Sequence, residues 1–89
     1  MQRKQIEIVN KLGMHARAAA KFVTLAQTYS AEIKIAKNGQ QVNGKSIMGV
    51  MMLAAAKGST IELVIEGEDE TQAMQALTQL IDNRFDEDE

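Results

Sequence analysis

Glu32-Ile33-Lys34-Ile35-Ala36-Lys37-Asn38-Gly39-Gln40-Gln41-Val42-Asn43-Gly44-Lys45-Ser46 carries two incompatible patterns, and choosing between them decides the fold. From Gly39 to Ser46 it satisfies G-x-x-x-x-G-K-S, the signature of a phosphate-binding loop between a strand and a helix. From Glu32 to Asn43 it shows polar–apolar alternation, an Asn-Gly turn and a second short strand, which is a β-hairpin. Residues 40–43 are loop in the first reading and strand in the second. Two observations favour the hairpin. The doubly wound parallel sheet that carries such loops does not fit into 89 residues with this order of elements. No aspartate follows the apolar run 61–65, where Glu66 stands instead. A nucleotide hydrolase would lose ATP binding in Lys45→Ala; the hairpin predicts no binding to lose.

Two other segments alternate with period two: Gln5-Ile6-Glu7-Ile8 and Ile61-Glu62-Leu63-Val64-Ile65. Between the first two strands, Ala19, Phe22, Val23 and Ala26 follow i, i+3, i+4, i+7, one face of an amphipathic helix. A shorter helix starts near Ser46, with Ile47, Val50, Met51 and Leu53 as its candidate buried positions. A last helix runs from Asp69 or Glu70 to Asn83, capped by acidic residues and buried through Ala73, Met74, Leu77, Leu80 and Ile81. The order β-α-β-β-α-β-α predicts an α+β fold: one four-stranded, mostly antiparallel sheet with three helices on one face. Residues 1–85 read as a single domain, and Asp86-Glu87-Asp88-Glu89 as a frayed, solvated acidic tail.

Composition narrows the function classes. With 89 residues there is room for one core. The absence of cysteine suits a reducing cytoplasm, and no apolar run or h-region marks membrane insertion or secretion. Phe22, Tyr29 and Phe85 are too few aromatics to build a stacking platform for nucleic acid. Residues 1–59 hold nine Lys/Arg against Glu7 and Glu32, whereas residues 60–89 hold Arg84 against ten acids. The positive part includes Lys11, Arg17, Lys21, Lys45 and Lys57, a field that steers acidic partners or anions.

The only histidine, His15, stands in that positive part, within Lys11-Leu12-Gly13-Met14-His15-Ala16-Arg17-Ala18-Ala19-Ala20. Strong helix formers follow it, which places the imidazole at a helix N-terminus, where unpaired N–H groups and the dipole favour an anion. A helix N-terminus also disfavours imidazolium and so keeps a ring nitrogen nucleophilic. Arg17 adds a planar donor suited to phosphate oxygens. Together these residues can accept, hold and release a phosphoryl group. A metal site is not expected: no second histidine, no cysteine and no carboxylate cluster lies nearby.

Ser46 reads as a helix N-cap and also as a phosphorylation site, since negative charge is tolerated at a helix start. Ile47, Met48, Met51 and Met52 are too many apolar residues for the buried face of one short helix. Some must be exposed, and exposed methionines make an adaptable docking surface.

Gly13-Met14-His15-Ala16-Arg17 and Gly44-Lys45-Ser46-Ile47-Met48-Gly49, at this separation, resemble the active-site and regulatory-serine motifs of the HPr family. These are small histidine-phosphorylated carriers of the bacterial phosphoenolpyruvate-dependent phosphotransferase system. The resemblance spans essentially the whole chain. It implies an open-faced β-sandwich, in agreement with the order of elements above. It also implies that His15 accepts phosphate on Nδ1 from phosphorylated enzyme I and passes it to an enzyme IIA component, assisted by Arg17. Ser46 then matches the site of an ATP-dependent serine kinase and its phosphorylase. Ala16, Ala20, Ile47, Met48, Met51 and Met52 fall on the partner-docking surface. A cytoplasmic monomer without a cofactor, a stoichiometric carrier rather than an enzyme, is the expectation.

Two features depart from the family pattern. Ala18 replaces the proline that many relatives place after the arginine, and Thr24 and Gln27 stand where sugar-type relatives often carry lysines. With the Met-rich second helix, this leans towards the nitrogen-related branch. The alternative from another class is a regulatory binding module controlled at Ser46, with His15 incidental.

Overall fold

The computed structural model describes residues 1–89. Its strands are β1 (Gln2–Glu7), β2 (Glu32–Lys37), β3 (Gln40–Asn43) and β4 (Thr60–Glu66); its helices are α1 (Ala16–Ala26), α2 (Ile47–Met52) and α3 (Glu70–Asp82). A 3-10 turn, Arg84–Asp86, follows α3. The four strands form one sheet in the order β1-β4-β2-β3, every neighbouring pair antiparallel.

The hairpin prevails over the phosphate loop. Asn38 (φ +52°) and Gly39 (φ +84°) both take positive φ, as a two-residue turn matched to strand twist requires. Lys34–Lys37 then pairs with Gln40–Asn43. Lys45, the lysine of the G-K-S pattern, donates from Nζ to the Tyr29 carbonyl at 2.7 Å.

Alternation decides the two faces of the sheet. Ile6, Ile33, Ile35, Ile61, Leu63 and Ile65 point inward and are buried, with Ile33 opposite Ile65 and Ile35 opposite Leu63. The other face is mostly polar and includes an Arg3–Glu62 ion pair. β1 begins three residues before the expected start and ends one residue earlier. It is an edge strand, and the charged and polar run Gln2-Arg3-Lys4 carries no apolar alternation to mark its first half. Ile8, just past the strand, stays fully buried, its N–H donating to the Ser59 carbonyl at 2.9 Å.

α1 buries Ala18, Ala19, Phe22, Val23 and Ala26, the stripe the spacing predicts plus one alanine. α3 buries Ala73, Met74, Leu77 and Ile81, while Leu80 is only partly covered. Its acidic start does not cap it as expected. The Asp69 side chain makes no cap bond; its two oxygens instead accept from the Ser30 and Ala31 N–H groups at 2.8 and 2.9 Å. Asp69 thus ties the start of α3 to the loop ahead of β2. Those bonds, led by the one from Ser30, outweigh partial desolvation and hold its carboxyl below the usual 3.8.

Candidate functional site

The turn Asn10–Gly13 delivers His15 to the head of α1. Gly13 takes φ +67°, and a Cβ there would lie 2.6 Å from the Ala55 carbonyl oxygen and 2.8 Å from Ala56 Cα. Only glycine lets this turn lie against the 55–56 backbone. Met14, buried, continues the contact by donating its N–H to the Ala55 oxygen at 2.8 Å.

His15 is itself the N-cap of α1. Its backbone is extended, and its Nδ1 accepts from the Arg17 N–H at 3.3 Å. An acceptor at Nδ1 puts the proton of the neutral ring on Nε2. That nitrogen faces the Oε2 atom of Glu87. The imidazole is therefore gripped at both nitrogens, with the Nδ1 lone pair directed at the helix N-terminus. The Nδ1 bond is long.

The acidic tail is not frayed, which corrects the expectation for residues 86–89. Arg84, Phe85 and Asp86 all take positive φ and turn the chain back, and Phe85 is fully buried in the core. The Lys21 Nζ donates to the Phe85 carbonyl at 2.8 Å, and the Lys11 N–H to the Glu89 carbonyl. Asn10, fully buried, donates from Nδ2 to Gly13 O at 2.8 Å and to Glu87 Oε1 at 2.9 Å. Burial pushes the Glu87 carboxyl up, but bonds from Asn10 and His15, with the charge of Lys21, outweigh this and hold it below 4.5. A second expectation changes with the tail. The depression over His15 is lined by Lys11, Arg17 and Lys21 together with the four tail acids, so the field there is mixed rather than simply positive. Sequence reading missed Glu87 and Asn10; the one available signal was Phe85, a scarce aromatic in a run of charge.

Arg17 is exposed beside His15 and takes part in no ion pair within the chain. Ser46 is the N-cap of α2, its Oγ accepting from the Gly49 N–H at 3.1 Å. Beyond it, Ile47, Met48, Met51 and Met52 are exposed while Val50 and Leu53 are buried. Met51 corrects its assignment to the core, and Ile47 likewise: a helix of six residues turns only one residue, Val50, fully inward. Ala16 is exposed and Ala20 half-buried on α1, which packs against α2. Leu12, exposed in the turn before His15, extends the apolar surface and was not anticipated. No three His, Cys, Asp or Glu side chains cluster to hold a metal ion, and no helix is long and apolar enough to cross a membrane.

Comparison with known proteins gives the family. Residues 2–83 match the family model described as PTS HPr component phosphorylation site. The chain is 56% identical over 89 residues to the phosphocarrier protein HPr of Neisseria meningitidis serogroup B, covering all of both chains. It is 56% identical over 86 residues to that of Pseudomonas aeruginosa, covering 96% of each. The crystal structure of HPr-C-His from Thermoanaerobacter tengcongensis superposes with a TM-score of 0.96 at 45% identity, again over all of both chains. Family model, full-length relatives and superposed structure all point the same way, and the chain belongs to the HPr family, the phosphocarrier proteins of the phosphotransferase system.

Proposed function

We propose that this protein is a stoichiometric phosphoryl carrier that accepts the group on His15 Nδ1 from phosphorylated enzyme I and passes it to an enzyme IIA component. The observation that carries this reading is the His15 ring itself: Nε2 faces a carboxylate, and Nδ1 holds its lone pair at the head of α1 beside the free guanidinium of Arg17. Nδ1 attacks phosphorus, the new N–P bond forms as the donor's bond to phosphorus breaks, and the Nε2 proton stays in place. The helix N-terminus and Arg17 then stabilise the added charge. The partner supplies the remaining alignment, which is how a carrier with no enclosed cleft reacts in line.

Docking falls to the exposed apolar face, Ile47, Met48, Met51 and Met52, with Ala16 and Ala20 alongside. Methionines adapt to partners of differing shape, which suits a carrier that must meet both a donor and an acceptor. The protein works as a cytoplasmic monomer. A second reading rests on Ser46: a phosphoryl group on this N-cap places negative charge at the root of the docking face, where a serine kinase would control partner choice. Incubation with phosphoenolpyruvate and enzyme I, read by intact mass before and after brief acid, tests the carrier. One acid-labile phosphoryl group absent from His15→Ala supports it. No label from an active enzyme I overturns it in favour of the regulatory module, whose partner binding tolerates His15→Ala and responds to Ser46→Asp.

A further inference from the structure

We propose that Glu87 is a positioning residue for the chemistry of His15, holding the ring in its Nε2–H tautomer while the phosphoryl group is accepted and released. This rests on the reading of His15 as the phosphoryl acceptor, and it assigns a task to a segment that the sequence presents as a disordered tail.

The geometry is that of a built contact. Glu87 Oε2 faces His15 Nε2, and Oε1 accepts from Asn10 Nδ2, so both carboxylate oxygens are engaged. Asn10 is fully buried, and the same Nδ2 also holds the Gly13 carbonyl two residues before the histidine. Ring, carboxylate and turn therefore share one hydrogen-bonded network. The backbone around Glu87 is held on both sides: Phe85 is buried, Lys21 binds the Phe85 carbonyl, and Lys11 binds the Glu89 carbonyl. The Glu87 side chain is only 14% exposed, so solvent screens the pair weakly.

The chemistry gives this contact its function. A carboxylate only accepts, so Nε2 must carry the proton and Nδ1 must present the lone pair. When the Nδ1–P bond forms, the ring becomes a phospho-imidazolium with its proton still on Nε2, and Glu87 neutralises that positive charge. When the acceptor takes the phosphoryl group, the N–P electron pair returns to Nδ1 and a neutral Nε2–H imidazole leaves. No proton enters or departs in either direction. Without Glu87 the phosphorylated ring can lose the Nε2 proton to water, and the leaving group is then the poorer imidazolide.

The test compares Glu87→Ala and Glu87→Gln with the parent. Long-range 1H–15N spectra at about pH 8.5, two units above an ordinary imidazole, read the His15 tautomer directly and need no phosphoryl donor. The expected parent ring is a single Nε2–H form. The alanine variant is expected to be a mixture, and the glutamine variant, which has one amide oxygen for the two donors His15 Nε2–H and Asn10 Nδ2, to lie between it and the parent. In phosphorylation by enzyme I, the alanine variant is expected to lose about tenfold in kcat, the scale of one charged hydrogen bond, at unchanged KM, because the docking face is untouched. Partial recovery of kcat in Glu87→Gln completes the pattern. A single Nε2–H form and parental kcat in Glu87→Ala overturn the proposal, as does a variant faster than the parent. If the parent takes no phosphoryl group at all, the carrier reading fails instead, and the tautomer spectra still decide whether Glu87 sets the ring.

Discussion

Replacing Gly13 by alanine separates a backbone cost from a steric one, because Gly39 provides the control. Both residues take positive φ, +67° and +84°, but a Cβ at Gly39 meets nothing within 4 Å, whereas one at Gly13 lies 2.6 Å from the Ala55 oxygen. The left-handed conformation costs an alanine about 1–2 kcal/mol. Reduced freedom in the unfolded chain returns about 0.4–1 kcal/mol of that. Gly39→Ala should therefore cost about 1 kcal/mol net. At Gly13 the obstructing atoms are backbone, which cannot rotate aside, so overpacking adds about 1–3 kcal/mol and brings the total to about 2–4. In urea denaturation the midpoint should fall in both variants with the slope unchanged, and further in Gly13→Ala. In thermal scans each kcal/mol should appear as about 4–8 °C. Equal losses in the two variants, within about 0.5 kcal/mol, would refute the claim that the 55–56 backbone seats the turn before His15.

Three further outcomes are expected. Phe85→Ala empties a fully buried ring site and should cost about 3–5 kcal/mol in urea titration, while hydrogen exchange at residues 84–89 rises as the strap is released. The Asp69 carboxyl is held below 3.8, so the unfolded chain binds more protons than the native one in acid. Its stabilising effect is complete above 3.8 and is lost as pH falls through the lower folded value; Asp69→Asn should flatten that part of the stability–pH curve. Ser46→Ala removes the cap of α2 and should cost about 1 kcal/mol, whereas Ser46→Asp, which can still accept from Gly49 N–H, should cost less in the same assay.

What was legible in the sequence was local. Alternation in Glu32–Ile35 and Ile61–Ile65 and the Asn-Gly pair report strand and turn directly, because a period of two and a positive φ are properties of neighbouring residues. The 3.6-residue stripe Ala19, Phe22, Val23, Ala26 does the same for α1. The first half of β1 was not legible, because an edge strand facing solvent needs no apolar alternation. The place of His15 at the head of α1 was legible because helix formers after a histidine already imply a helix terminus. Glu87 was not, because its contact with His15 spans 72 positions and nothing in a run of four acids distinguishes the one that folds back. Asp69 shows the same limit: its position at a helix start was read correctly, but its partners, Ser30 and Ala31, lie 39 and 38 residues away.

The central claim is that His15 Nδ1 carries the phosphoryl group, and the most direct test is 15N and 31P NMR of the histidine-labelled protein during turnover with phosphoenolpyruvate and enzyme I. The account predicts a phosphoramidate coupled to Nδ1 alone, with the proton retained on Nε2. Phosphorus bonded to Nε2, or a signal only from a serine phosphate ester, would contradict it.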